Sequence, residues 1–133
     1  MYLLDTNVLS ELMRRKPDPH VEARFESEPE PLLASVICLE EIRYGARIAP
    51  SGNGLWERFA ADLRPHLTVL PLSESVALLA GDLRAEWKTR GTLVGYRDGL
   101  IAATAKANDL VLVTRNVRHF DHITGLRIEN WFE

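Results

Sequence analysis

Leu110-Val111-Leu112-Val113-Thr114-Arg115-Asn116 is the stretch that decides the fold. Its first four residues are leucine and valine without a polar break, the pattern of a strand buried on both faces of a parallel sheet. Parallel neighbours need helical crossovers, and the flanking sequence supplies them. Upstream, the small residues Ile101-Ala102-Ala103-Thr104-Ala105 predict a helix that Asp98 opens and Asn108 ends. Before it, Val76, Leu79, Ala80, Leu83 and Trp87 form a helical apolar stripe, capped by Ser73 and stopped by Gly91. Leu67–Leu70 reads as a strand, and Leu55–Leu63 as a helix with Trp56, Phe59 and Ala60 on one side. Leu39, Ile42 and Ala46 share one face of a helix over Cys38–Ala49, after a buried strand from Leu32 to Val36. Tyr2-Leu3-Leu4 is a strand ending at Asp5. Thr6 or Asn7 caps a helix over Val8–Arg15, and a second helix covers Val21–Ser27. Leu126–Glu129 is a weak last strand, and Pro50–Gly54 and Gly91–Tyr96 are loops. Strands alternating with helices specify an α/β domain over residues 1–133, with a mainly parallel sheet and helices on both sides.

Composition narrows the function. A chain of 133 residues with 46% hydrophobic and 26% charged residues has the make-up of a folded globular domain. The lone Cys38 excludes an internal disulfide and a Cys-rich zinc module, and it suits a reducing compartment. No apolar run reaches the roughly 18–20 residues of a membrane span, and the opening Met1-Tyr2-Leu3-Leu4-Asp5 lacks a basic leader, so a cytoplasmic location without membrane contact is expected. A net charge of −3 excludes a strongly basic nucleic-acid coat protein. It does not exclude an enzyme that meets nucleic acid at one pocket.

Sites in parallel α/β sheets lie beyond the carboxyl ends of the strands. Three acids fall there. Asp5 follows the first strand, Glu41 lies early in the helix after the second, and Asp98 lies at the start of the helix before Leu110. Thr114 and Asn116 bring a hydroxyl and an amide to the same edge. Taken singly, each has a plain structural explanation: a helix cap, a solvated pair with Glu40, a turn. Taken together they make a cluster of hard oxygen donors, which repel one another unless a cation joins them. Such a cluster suits Mg²⁺ or Mn²⁺ and phosphodiester hydrolysis. Ser/His/Asp, Cys/His, P-loop and zinc spacings are absent.

Four motifs then stand in order along nearly the whole chain: Leu4-Asp5-Thr6-Asn7-Val8-Leu9-Ser10, Ser35 to Gly45 around Glu41-Ile42-Arg43-Tyr44, Asp98-Gly99-Leu100-Ile101-Ala102-Ala103, and Val113-Thr114-Arg115-Asn116 through Phe120. They resemble the PIN-domain family and, within it, the VapC-type toxins of toxin–antitoxin pairs. The resemblance implies a three-layer α/β/α sandwich and a Mg²⁺- or Mn²⁺-dependent endoribonuclease. It implies a homodimer neutralised by a VapB-type antitoxin and reaching DNA only through that antitoxin. By position, Asp5, Glu41 and Asp98 match the family's core acids and metal ligands, with Thr114 and Asn116 as supporting catalytic residues. The fourth motif departs from the fullest acidic pattern: Asn116 and His119 stand where relatives often carry Asp, so a single tightly held ion is expected. Asp121 is expected to be a solvated loop residue. Thr6 is a candidate to orient the acids, and Arg14, Arg15, Lys16, Arg115 and Arg118 are candidates for the RNA backbone. The alternative within the family is a module with weakened catalysis that serves as a binding partner in an antitoxin–DNA repressor complex. Outside it, a phosphatase with Asp5 as nucleophile lacks the second acid, since position 7 is Asn. A receiver domain lacks its lysine, since Arg115 stands there.

Overall fold

The computed structural model describes residues 1–50, 54–92 and 94–133. The middle of the loop expected at Pro50–Gly54, and position 93 of that expected over Gly91–Tyr96, lie outside the described residues. Among the described residues, strands β1 (Tyr2–Leu4), β2 (Leu32–Ser35), β3 (Leu67–Leu70), β4 (Val111–Val113) and β5 (Ile128–Glu129) form a sheet in the order β3-β2-β1-β4-β5. Every pairing is parallel, including that of the short β5. Helices flank this sheet: α1 (Thr6–Leu12), α2 (Pro19–Ser27), α3 (Val36–Ile48), α4 (Leu55–Arg58), α5 (Glu74–Thr89) and α6 (Tyr96–Ala107).

The strand order has a consequence for function. The chain moves outward from β1 through β2 to β3, then returns across the sheet to place β4 on the other side of β1. The direction of winding therefore reverses between β1 and β4, where an open sheet leaves a crevice at the strands' carboxyl ends. β1 and β4 pair along their length, Leu4 opposite Val113, and the Asp5 N–H donates to the Val113 carbonyl at 2.9 Å. Asp5 and Thr114, the next residues on each strand, thus meet at the crevice.

The central strands are buried as the apolar runs require. Leu3, Leu4, Leu112 and Val113 are fully enclosed. Trp87, Trp131, Phe59 and Phe120 supply the bulk around them. Burial pushes the Cys38 thiol up to about 11, and its Sγ faces the Leu4 carbonyl at 3.8 Å, so it is a core side chain and not a nucleophile.

Several element ends differ from the sequence pattern. Helix α1 is capped by Asp5 rather than Thr6 or Asn7, and it ends at Leu12. Helix α3 begins at Val36 because Ser35, the last residue of β2, caps it by accepting the Ile37 N–H at 3.1 Å. The helix expected over Leu55–Leu63 changes pitch: α4 passes into a π-helical segment at Phe59–Leu63, in which Phe59 and Leu63 are buried. Helix α6 starts at Tyr96 with Gly95 as its cap, so Asp98 sits in its first turn and does not open it. α5 and α6 lie so close that a Cβ on Gly99 would meet the Arg84 side chain at 3.0 Å. No helix among the described residues is long and apolar enough to cross a membrane.

Candidate active site

Asp5 is the fixed point of the site. It is fully buried at the junction of β1 and α1. Its Oδ1 accepts the Thr6 N–H at 2.8 Å, and its Oδ2 accepts from Thr114 Oγ1 at 2.8 Å and Asn7 Nδ2 at 3.2 Å. A carboxylate at a helix N-terminus is favoured by the unpaired N–H groups and the helix dipole. Thr114, also fully buried, is itself held: its Oγ1 accepts from Asn7 Nδ2 at 3.3 Å and from the Asn116 N–H at 3.0 Å. Thr114→Val keeps the shape and removes the hydroxyl. It is expected to lower stability by about 1–3 kcal/mol, read from the urea midpoint, because a buried carboxylate oxygen loses a donor.

Glu41 and Asp98 join Asp5 from two other elements. Glu41, on the second turn of α3, accepts from Thr6 Oγ1 at 2.7 Å, so the first motif holds the second. Asp98, in the first turn of α6, accepts from His119 Nδ1 at 3.0 Å through its Oδ2. The sequence placed Asp5, Glu41, Asp98 and Thr114 on one edge, and here they share one network. Asn116 enters differently from expectation. It is exposed and reaches the network through its backbone N–H to Thr114, while the contact to Asp98 is made by His119. Asp121 is exposed, its Oδ1 3.9 Å from His122 Nδ1, and lies outside the network.

Arg97 was not singled out by any pattern, yet it ties the three acids together. Its Nη2 binds Asp5 Oδ1, its Nε binds Glu41 Oε1 at 2.5 Å and its Nη1 binds Asp98 Oδ1 at 2.8 Å. Burial works against the guanidinium charge, but the hydrogen bond to Glu41 and the field of Asp5 outweigh it and hold the pKa above its usual value.

The donor set suits a hard divalent cation: three carboxylates on three rigid elements converge on one positive point. Among the described residues, no group of three or more His, Cys, Asp or Glu side chains stands as a ready cage.

Two cavities flank this region. One of about 300 Å³, lined by Asp98, Arg118, His119 and His122, adjoins the acids. Another of about 600 Å³ runs from Glu41 along α3 to Met13, Arg14 and Arg58. A further cavity of about 790 Å³ lies at the amino end of β2 among Pro31, Leu32 and Pro65, and none of the network residues lines it. The remaining basic candidates stay at the surface. Arg14 pairs with the buried Glu11 at 3.2 Å, and Arg115 lies over the Phe132 ring at 4.2 Å.

The sequence profile of the PIN domain matches residues 2–126 of this chain. The chain belongs to the PIN-domain family. A PIN-domain relative from Salmonella typhimurium, the tRNA(fMet)-specific endonuclease VapC, is 38% identical over 98% of this chain and 97% of its own length. Among solved PIN-domain structures, a chain of the FitAcB crystal structure from Neisseria gonorrhoeae superposes with a TM-score of 0.90 at 34% identity, covering 100% of this chain and 99% of that one. A chain of DNA-bound VapBC from Salmonella typhimurium gives 0.88 at 35% identity, covering 98% of this chain and 97% of that one. The parallel PIN sheet with flanking helices is therefore the fold expected from the four motifs.

Proposed function

We propose that this chain is an endoribonuclease, the toxin of a VapBC-type toxin–antitoxin pair, hydrolysing RNA phosphodiester bonds with Mg²⁺ or Mn²⁺ held by Asp5, Glu41 and Asp98. The observation that carries this reading is the convergence of those three carboxylates on one cationic point, at the place where the sheet reverses its winding. A divalent ion bound there supplies positive charge for a phosphate oxygen and lowers the pKa of a water molecule. The chain's own residues do the rest. Thr114, Asn7 and the Thr6 N–H fix Asp5 so that its oxygens cannot turn away. Glu41, with its side chain 29% exposed, is the acid most open to solvent, and it is placed to take a proton from attacking water. His119 holds Asp98, and Asn116 supports Thr114 through its backbone.

The relatives also suggest partners. The solved Salmonella structure is a VapBC complex with DNA. For this chain, the reading is a VapB-type antitoxin as direct partner, DNA contacted only through it, a homodimer in solution, and a cytoplasmic location shared with the RNA. The groove of about 600 Å³ beside Glu41 offers the antitoxin a seat that touches the site's edge. The test is to induce the chain in a bacterial host and sequence RNA 5′ ends. The proposal expects new ends at a restricted set of positions, lost with Asp98→Asn and suppressed by the co-expressed antitoxin. An unchanged pattern of ends on induction contradicts it.

A further inference from the structure

We infer that Arg97 is the resident counter-cation of the acidic site, and that a divalent metal binds only in exchange for its guanidinium. This rests on the metal-nuclease reading above and adds a competitor to it. The inference starts from identity of atoms. Asp5 Oδ1, Glu41 Oε1 and Asp98 Oδ1 are the oxygens that face the common centre, and each accepts from a different nitrogen of Arg97. A Mg²⁺ shell needs oxygen ligands at about 2.0–2.1 Å from a single point. A guanidinium instead spreads its donors along a rigid plane, so the same oxygens cannot serve both cations in one arrangement.

Three further features fit an exchange. Asp5 is fully buried, and a buried carboxylate without a cation is costly, so something positive is needed there before metal arrives. Arg97 sits at the second position of α6, where the helix dipole opposes its charge, so its hold on the site comes from the acids and not from its own helix. Its side chain is 31% exposed, against none for Asp5, so the arginine is the more open partner of that pair. Asp5 is enclosed and the arginine is not; the movable member of the network is the cation.

The experiment is titration of MnCl₂ into chelator-treated wild type, Arg97→Gln and Arg97→Lys, followed by calorimetry and by thermal unfolding. Arg97→Gln is expected to bind Mn²⁺ roughly tenfold tighter or more than wild type, since a competing charge has gone. Its metal-free form should melt below wild type, and Mn²⁺ should raise its melting temperature by more than it raises that of wild type. Arg97→Lys keeps the charge but cannot bridge three carboxylates, so its affinity should fall between the two. If Arg97→Gln needs metal to fold, Arg97→Lys carries the affinity comparison. Equal or weaker Mn²⁺ binding in the variants overturns the inference. RNA cleavage by wild type, run alongside in Mg²⁺ and in EDTA, separates the two levels. Metal-dependent cutting with unchanged variant affinity sinks the exchange alone; cutting in EDTA with no Mn²⁺ binding by any of the three proteins sinks the metal-nuclease reading with it.

Discussion

Asp5→Asn is expected to reduce RNA cleavage by roughly 10²–10³-fold or more, the scale of losing one preorganised charge from a reacting site. The side chain keeps its shape and changes in two ways. It loses the negative charge that both Arg97 and a divalent cation require. It also turns one oxygen into an NH₂ group, although Oδ1 and Oδ2 each accept from two donors in the folded chain. One pair of donors must then face a donor, at a cost of about 1–3 kcal/mol. Relief of repulsion among the three acids offsets part of that cost. The variant should therefore remain folded, with a lowered urea midpoint and the native circular-dichroism spectrum, while its cleavage falls to background. A variant that cuts RNA at the wild-type rate would remove Asp5 from the chemistry.

The largest effect on stability is expected from Trp87→Ala. Trp87 is 1% exposed on the inner face of α5, and its ring meets His122 edge-on at 5.2 Å. Its carbonyl accepts the Thr92 N–H at 2.8 Å, which starts the turn toward α6. Truncation of a buried tryptophan leaves a cavity that neighbours refill only in part, with a typical loss of about 3–5 kcal/mol. The loss should appear as a lower midpoint in chemical denaturation with an unchanged slope. His122 and His119 lie on the same stretch of chain, and His119 holds Asp98, so cleavage should also weaken before the variant unfolds. A loss under about 1 kcal/mol would mean that Trp87 is not the packing centre of this layer.

Much of this architecture was legible because it rests on local patterns. Leu110–Val113 and Tyr2–Leu4 are short apolar runs that read as buried strands; Tyr2–Leu4 is β1, and β4 takes Val111–Val113 of the other run, with Leu110 just before it. Asp5, Glu41, Asp98 and Thr114 could be placed on one edge because each follows or precedes such a strand in a parallel sheet. What sequence spacing does not carry is which long side chain crosses between elements. Arg97 reaches Asp5 across 92 positions and Glu41 across 56, and no periodicity encodes that. His119 on Asp98 was hidden for the same reason: it reaches Asp98 across 21 positions from the short 3-10 turn Val117–His119. The start of α6 was misplaced because Asp98 is a favoured cap residue, whereas here it stands in the first turn behind a glycine cap. The change of pitch at Phe59–Leu63 leaves no mark in the apolar spacing, because residues four apart share a face in either helix type.

The claim that Asp5, Glu41 and Asp98 form a metal-dependent nuclease centre is tested most directly by stripping the purified chain of divalent ions and following cleavage of RNA. The account predicts no cutting in EDTA, recovery on adding Mg²⁺ or Mn²⁺, and no recovery for Asp5→Asn under the same conditions. Undiminished cutting in EDTA, or full recovery by Asp5→Asn, would contradict it.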